Sequence, residues 1–365
     1  MSILIFLAVL FVLILVHEWG HYIVAKLTGM RVDEFAIGFP PKLFSWKKGE
    51  TEYSLNALPI GGFVRIYGED PTKVEGEADP DKERSFSARP KWAQALVLFA
   101  GVTMNWVFAW FLLVIIMVIG VPTGITEDKA TANSILYVDS VLPGSPADTI
   151  LPPQSKILSV KSGDDELTQT LPSTFSDFVA SRGGETLVIT FENQASEIIE
   201  VSVVPKTGVI ESSPERAALG VALSLVETVK KPLGTALVDA TVQTYALTKA
   251  IVSGLFGLIA GAFAGTADFS QVAGPIGIVG YVGDAAAVGL TSLLFFTAII
   301  SINLAVINLL PIPALDGGRL VFVAIETITR REIPPVWAGR VNLIGFMLLI
   351  LLMIAATTND VMKLW

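Results

Sequence analysis

The chain has no cysteine and only two histidines among 365 residues, and charged residues make up just 16% of it. Without cysteine there are no disulfides, no thiolate metal ligands and no thiol nucleophile. Both histidines lie in one pentapeptide, His17-Glu18-Trp19-Gly20-His21, so any histidine chemistry is confined to that point. Scarce charge beside 52% hydrophobic residues excludes an ordinary soluble surface and indicates a membrane protein. The formal net charge is −9 and no basic stripe interrupts the apolar sequence, so no nucleic-acid partner is expected.

Long apolar runs are what the sequence does contain. Four are long enough to cross a bilayer, which takes about 20 residues at ~1.5 Å each: Ile3 to about Leu27, Trp92 to Gly120, Leu290 to Leu310 and Val336 to Ala356. Basic residues near their ends (Lys26, Arg31, Arg84, Arg89, Lys91, Arg319, Arg330 and Arg331) place the 26–91 and 311–335 loops in the cytoplasm and both termini outside. A fifth stretch, Tyr245 to Phe263, carries Asp239, Gln243 and Lys249 on or near it and reads as an interfacial or re-entrant amphipathic helix. Parity agrees: if it crossed, the following run would travel outward and leave Asp316 on the face opposite His17.

Two segments outside the runs are patterned. Residues 32–67 alternate β-prone pieces with turns and read as a small antiparallel sheet beside the membrane. From about Ser134 to Lys206, strands are expected at Ile135–Leu142, Lys156–Lys161, Thr186–Phe191 and Glu197–Val204, with a short helix near Ser173–Ser181. Residues 122–239 hold 8 basic against 16 acidic residues, nearly the whole net charge, as suits an extracytoplasmic domain. The expected organisation is a first span in 1–30, the β region in 31–91, a second span in 92–121 and a domain in 131–207. An amphipathic segment in 232–289, a third span with its following turn in 290–318 and a fourth span in 336–356 complete it.

Histidines at i and i+4 share one helix face, so His17 and His21 can ligate one ion, and Glu18 can reach an ion-bound water without being a ligand. Fourteen residues of ~1.5 Å from Ile3 put His17 ~21 Å deep, where ionisable groups are costly and usually functional. A catalytic zinc takes three protein ligands and leaves a position open. With no further His or Cys, the third ligand must be Asp or Glu. Asp316 closes the segment Asn308-Leu309-Leu310-Pro311-Ile312-Pro313-Ala314-Leu315-Asp316-Gly317-Gly318, whose prolines and glycines force non-helical backbone near membrane depth; Glu326 is the rival. With such a set Glu18 would act as general base for attack on a peptide carbonyl, and Asn308 could hold the substrate backbone or help an oxyanion. A helical substrate hides its carbonyls, so it must be unwound, and the β segment could do this by pairing with an extended strand.

These residues resemble the bacterial zinc intramembrane metalloproteases of the site-2 protease family, RseP type, along nearly the whole chain. His17–His21 is similar to the family's HExxH and Asn308–Gly318 to its NxxPxPxLDGG. The resemblance implies one zinc per chain held by His17, His21 and Asp316, with Glu18 as catalytic base. Gly61, Gly62 and Phe63, with Gly38-Phe39 and Glu52-Tyr53-Ser54-Leu55, resemble its substrate-presenting β-hairpin. Gly274-Pro275-Ile276-Gly277-Ile278 resembles a further family motif, and Val138 to Ala147 resembles the start of a PDZ domain. The family's GFG reads Gly38-Phe39-Pro40 here and its GPxxN reads Gly101-Val102-Thr103-Met104-Asn105; neither is expected to touch the zinc site. The Gly-Asp usual before the second PDZ strand reads Gln154-Ser155.

The implied fold is a polytopic α-helical membrane protein with four transmembrane helices, a membrane-associated β-hairpin or sheet and one extracytoplasmic PDZ-like domain, located in the cell membrane. The implied function is cleavage of single-span membrane proteins, after another protease has shortened them, in regulated intramembrane proteolysis of anti-sigma factors or signal-peptide remnants. Two other readings stand beside it: a membrane quality-control protease, which would use a Glu as third ligand, and a non-catalytic PDZ scaffold anchored in the lipid bilayer.

Overall fold

The computed structural model describes residues 1–69, 81–168, 171–193, 197–210, 212–266 and 273–363, so residues 70–80 of the expected β region and 267–272 of the expected interfacial segment lie outside it. In chain order the helices are α1 (Ser2–Leu27), α2 (Lys91–Ile119), α3 (Pro172–Ala180), α4 (Leu233–Ala264), α5 (Pro275–Val288), α6 (Leu290–Asn308), α7 (Asp316–Thr329) and α8 (Pro335–Lys363). The strands are β1 (Val32–Lys48), β2 (Thr51–Ile66), β3 (Val121–Ile125), β4 (Ile135–Val141), β5 (Lys156–Ser162), β6 (Asp165–Leu167), β7 (Leu187–Glu192), β8 (Ile198–Val203) and β9 (Val221–Val229). The chain divides into two units, Met1–Ile115 with Gly234–Trp365, and Ile116–Leu233.

In the first unit, long apolar stretches without interior proline form helices because only a helix satisfies its backbone polar groups within one segment in lipid. By length and composition α1, α2, α4, α6 and α8 could each cross a membrane, one more than the four expected. Contacts along their length give their directions. His21 meets Val97 and His17 meets Asn105, so α1 and α2 are antiparallel. Gly283 of α5 lies against Ser2 at the start of α1, and the chain then runs down α6 to bring Asp316 beside His17, so α6 is parallel to α1. α8 places Asn342 against Ala314 and Asp360 against Gly274, which makes it antiparallel to α6.

The fifth helix departs from a purely interfacial segment. Trp110 and Trp106 of α2 donate their indole N–H groups to Thr241 and Thr248 of α4, at 3.0 Å each, so α4 descends along the middle of α2 as α2 ascends. Those hydroxyls donate in turn to Leu237 O and Thr244 O one turn back. Such contacts sit at the depth of α2's midpoint, and local hydropathy carries no trace of them. The chain nevertheless returns to the end where α4 began, because Gly274, the residue before α5, lies against Asp360 near the end of α8.

That junction explains the Gly274-Pro275-Ile276-Gly277 sequence. The Asp360 carboxylate accepts the N–H groups of Gly274 (2.9 Å) and Gly277 (2.8 Å), two of the unsatisfied donors at the start of α5. A Cβ on Gly274 would stand 2.6 Å from Asp360 Oδ2 and 2.7 Å from Ala356 O, so only glycine admits the approach. Pro275 follows where a missing N–H costs nothing.

The β region folds into one sheet from two long, bent strands. Residues 34–37 pair with 65–62 in falling register on one side and with 52–55 in rising register on the other, while Phe44–Lys48 pair with Leu55–Thr51. The rows therefore run 62–66, 34–37, 52–55 and 44–48, with the middle two pointing the same way, where an all-antiparallel sheet was expected. The extra residues between Ile37 and Phe44 let the chain cross over before it turns back. At the turn between strands, Lys26 (2.5 Å) and Arg84 (2.7 Å) grip Glu50, and the Tyr22 and Tyr53 hydroxyls meet at 2.6 Å, which ties the sheet to α1. Partial burial opposes ionisation of Glu50, but hydrogen bonds and charge from Lys26 and Arg84 hold its pKa below the usual carboxylate value.

The second unit is a sheet ordered β3-β9-β4-β5-β7-β8, with β6 on β5 and α3 packed on its core. Leu187, Ile189 and Phe191 point inward at alternate positions of β7 against Phe175 and Val179 of α3. The strands and helix expected between 134 and 206 are present at nearly the anticipated bounds. The unit itself is larger than 131–207, because β9 inserts between β3 and β4. β9 and β4 are about eighty residues apart, and no local pattern names that pairing.

Replacing Asp360 with Ala should leave two donors at the start of α5 uncapped and lower stability by about 1–2 kcal/mol, read as a lower unfolding temperature of the detergent-solubilised protein. Asp360→Asn, which keeps an acceptor, should recover most of the loss.

Candidate metal centre

One helical turn separates His17 and His21 on α1, and both are buried. Their Nε2 atoms lie 3.2 Å apart. Asp316 Oδ2 stands 3.1 Å from His17 Nε2 and 3.3 Å from His21 Nε2, and these three residues are the one group of metal-capable side chains found to converge among the described residues.

Asp316 is brought there by the break after α6. The chain leaves the helix at Asn308, passes through Ala314 with a left-handed φ of +78°, and starts α7 at Asp316. Gly317 and Gly318 press against the carbonyls of Leu309, Leu310 and Ile312, which a Cβ at either glycine would overlap. Gly345 of α8 backs against Pro313 in the same way. The prolines and glycines of this segment thus fold a tight turn that delivers one carboxylate to the histidines. Glu326 is placed elsewhere: it pairs with Lys91 at 2.7 Å and accepts the Ile333 N–H at 2.9 Å.

The residues fit a zinc ion. Ligand atoms about 2.0–2.1 Å from a tetrahedral ion stand ~3.3 Å from one another, and the three separations here are 3.1, 3.2 and 3.3 Å. Asp316 Oδ2 is buried and accepts no hydrogen bond among the described residues, an orphaned acceptor that a shared cation would satisfy. Two imidazole nitrogens and one carboxylate leave the fourth tetrahedral position open.

α2 backs the histidines, which the sequence reading did not anticipate. Val97 O accepts from His21 Nδ1 at 2.8 Å, and the Asn105 amide lies 3.3 Å from His17 Nδ1. Between them, a Cβ on Gly101 would overlap His21 Nε2 and lie 2.7 Å from His17 Cε1. The Gly101–Asn105 segment, expected to stay clear of the site, is therefore its wall. The available signal was a glycine and an asparagine at i and i+4 in a strongly apolar helix.

Glu18 points to the β sheet. Its Oε2 accepts the Val64 N–H at 3.0 Å, while Oε1 makes no hydrogen bond among the described residues. Gly62 approaches within van der Waals distance, a Cβ there lying 3.7 Å from Glu18 Cγ. Gly61 and Gly62 thus line a small cavity with Glu18, while the Phe63 ring stacks on Phe39 at 6.3 Å. Asn308, at the end of α6, is half-buried and its side chain makes no hydrogen bond among the described residues.

The model of peptidase family M50 matches residues 5–352 of the chain. A Clostridium perfringens protein assigned as a zinc metalloprotease is 38% identical over 96% of this chain and 95% of its own. The zinc metalloprotease RasP of Oceanobacillus iheyensis is 29% identical over 97% of each chain. The regulator of sigma-W protease RasP of Bacillus subtilis is 28% identical over 100% of this chain and 99% of its own. Among solved structures, the PDZ domain of an SdrC-like protein from Listeria innocua is similar to 24% of this chain, covering 92% of that chain at 22% identity with a TM-score of 0.21.

Gly101→Ala should displace the imidazoles and reduce copurifying metal by roughly tenfold or more, measured by elemental analysis of the purified protein. Gly124→Ala, where the added methyl meets open space, should leave it unchanged.

Proposed function

Because the chain belongs to peptidase family M50 and is a metalloendopeptidase, we propose that it is a zinc-dependent intramembrane endopeptidase that cuts single-span membrane proteins within or beside the bilayer. The observation that carries this is the convergence of His17 and His21, on a helix of membrane-spanning length, with Asp316, at the turn that follows another, and with an orphaned carboxylate oxygen among them. His17, His21 and Asp316 are the zinc ligands and Glu18 is the general base.

Bound there, zinc would lower the pKa of a water to about 7 and polarise the scissile carbonyl. The rest is done by the chain. Glu18 Oε1, which makes no hydrogen bond among the described residues, takes the proton of the attacking water, and Glu18 then delivers it to the leaving amine. Asn308, with its amide unengaged at the end of α6, binds the substrate backbone or the developing oxyanion.

Presentation of an extended substrate falls to the outer row of the β sheet. The N–H of Val64 points away from its neighbouring row and towards Glu18, so a strand laid on this edge is delivered beside the base. Gly61 leaves room for the Phe39 ring and Gly62 for the Ala36 carbonyl, and Gly62 faces Glu18 and Ile14 of α1 at van der Waals distance. Phe44 and Trp46, exposed on the opposite row with Tyr53 stacked on Trp46 at 5.4 Å, would rest at the lipid interface.

Four crossings by α1, α2, α6 and α8, alternating in direction, leave α4 as a re-entrant helix with its neighbours at the outer face. Both termini and the second unit, read as a PDZ-like domain, are then extracytoplasmic, and the protein resides in the cell membrane. That domain would admit substrates only after an upstream cut has shortened them. The name of the Bacillus subtilis relative, a regulator of sigma-W protease, supports a role in regulated proteolysis of the anti-sigma-factor type. A quality-control protease with a Glu ligand is disfavoured by the engagement of Glu326 with Lys91, and a scaffold by the intact ligand set.

The test uses purified, zinc-loaded protein and a single-span reporter substrate. Glu18→Gln should lower cleavage by about 10²–10⁴-fold while retaining zinc. Asp316→Asn should lose zinc, whereas Glu326→Gln should keep it. Full zinc occupancy in Asp316→Asn would overturn the ligand assignment.

A further inference from the structure

We propose that Asn105 is a positioning residue for the metal site: its amide oxygen takes the Nδ1 proton of His17 and thereby presents the Nε2 lone pair of that histidine to the ion. The inference rests on the assignment of His17 as a ligand made above.

An imidazole that ligates through Nε2 carries its proton on Nδ1, and a buried Nδ1–H requires an acceptor. His21 has one in Val97 O. For His17 the group in reach is the Asn105 amide, 3.3 Å from Nδ1. Asn105 is fully buried and its Oδ1 has no hydrogen-bond partner among the described residues. Oxygen and nitrogen of an amide exchange places by a half-turn about the Cβ–Cγ bond, within the same space.

The two orientations have opposite consequences. With Nδ2 towards the ring, Nδ1 must be the acceptor, so the imidazole proton sits on Nε2, where it faces His21 and Asp316 and blocks ligation. With Oδ1 towards the ring, the orphaned oxygen gains a donor and Nε2 is free to ligate. Only the second state can hold metal.

The place of Asn105 is itself held. Ser301 of α6, fully buried, donates its hydroxyl to Asn105 O at 2.8 Å. The helix that leads to Asp316 is therefore pinned at the residue that orients His17, so one contact relates the carboxylate to the imidazoles. Val97 and Asn105 are eight residues apart on α2, two turns on one face, with Gly101 midway between them.

A helix-packing role alone predicts a different outcome from an acceptor role, and zinc affinity separates them. Zinc dissociation constants would be measured by competition with a fluorescent chelator on the full-length, detergent-solubilised protein, wild type and variants. Asn105→Leu and Asn105→Ala, which remove the acceptor, should weaken zinc binding about 10–100-fold. Asn105→Asp, whose carboxylate accepts from Nδ1–H, should stay within about threefold of wild type, the range of ordinary context effects. Metal-free unfolding temperatures of the variants should match wild type. Zinc binding within threefold of wild type in Asn105→Leu or Asn105→Ala would overturn the proposal, as would an Asn105→Asp variant as weak as Asn105→Leu. Should the apolar variants fail to fold, the Asn105→Asp result decides alone. His17→Ala keeps the two claims distinct: zinc retained in that variant would defeat the ligand assignment, whereas zinc lost there and kept in Asn105→Leu would defeat only the role of Asn105.

Discussion

Three polar groups meeting inside an apolar bundle are the constraint on which the rest of the molecule depends. Two imidazoles and a carboxylate taken out of water cost several kcal/mol unless each finds a partner, and their ligating atoms lie within 3.3 Å of one another. A shared cation would satisfy all three at once, and the backbone around them leaves the three ligand atoms close together. Gly101 keeps α2 flat where the imidazoles lie, Gly317 and Gly318 let the carbonyls of the preceding turn close over the start of α7, and Gly345 lets α8 brace Pro313. Each glycine stands where a single Cβ would collide with backbone or with an imidazole. Small residues here are a geometric requirement of the metal centre, distinct from any general preference for close helix packing.

The second requirement is access for a peptide bond. In a bilayer a helical substrate has no spare carbonyl, so cleavage needs an extended conformation and a partner for its backbone. The β sheet supplies an edge immediately beside the helix that carries Glu18, the proposed base, and the link is physical: Glu18 already holds the Val64 N–H of that edge. The sheet is anchored to α1 by the Tyr22–Tyr53 contact and the Glu50 ion pairs, so the edge and the base keep their relation. The outer rows meanwhile expose Phe44 and Trp46, side chains suited to the boundary between headgroups and acyl chains.

How much of this could be read beforehand depended on the range of the interaction. The histidine pair, the tight turn closing on Asp316 and the span lengths follow from spacings of a few residues. So do the strands between Ile135 and Val203, where alternation is local. The insertion of β9, the same-direction rows in the small sheet, the packing of α4 along α2 and the wall formed by Gly101 and Asn105 all join residues dozens to hundreds apart. No window along the chain contains both partners.

The sequence by itself determined the chemistry. With cysteine absent and both histidines in one turn, a three-ligand site had to recruit a carboxylate, and the apolar runs had to become helices in lipid. Which carboxylate stands beside the histidines, and which groups contact their far sides, only the tertiary structure decided. Lys91 occupies Glu326, the turn after α6 carries Asp316 inward, and α2 offers Val97 O and Asn105 to the two Nδ1 atoms. Composition limits which atoms can bind an ion, but the few ångströms that make them bind together are set by how distant helices pack.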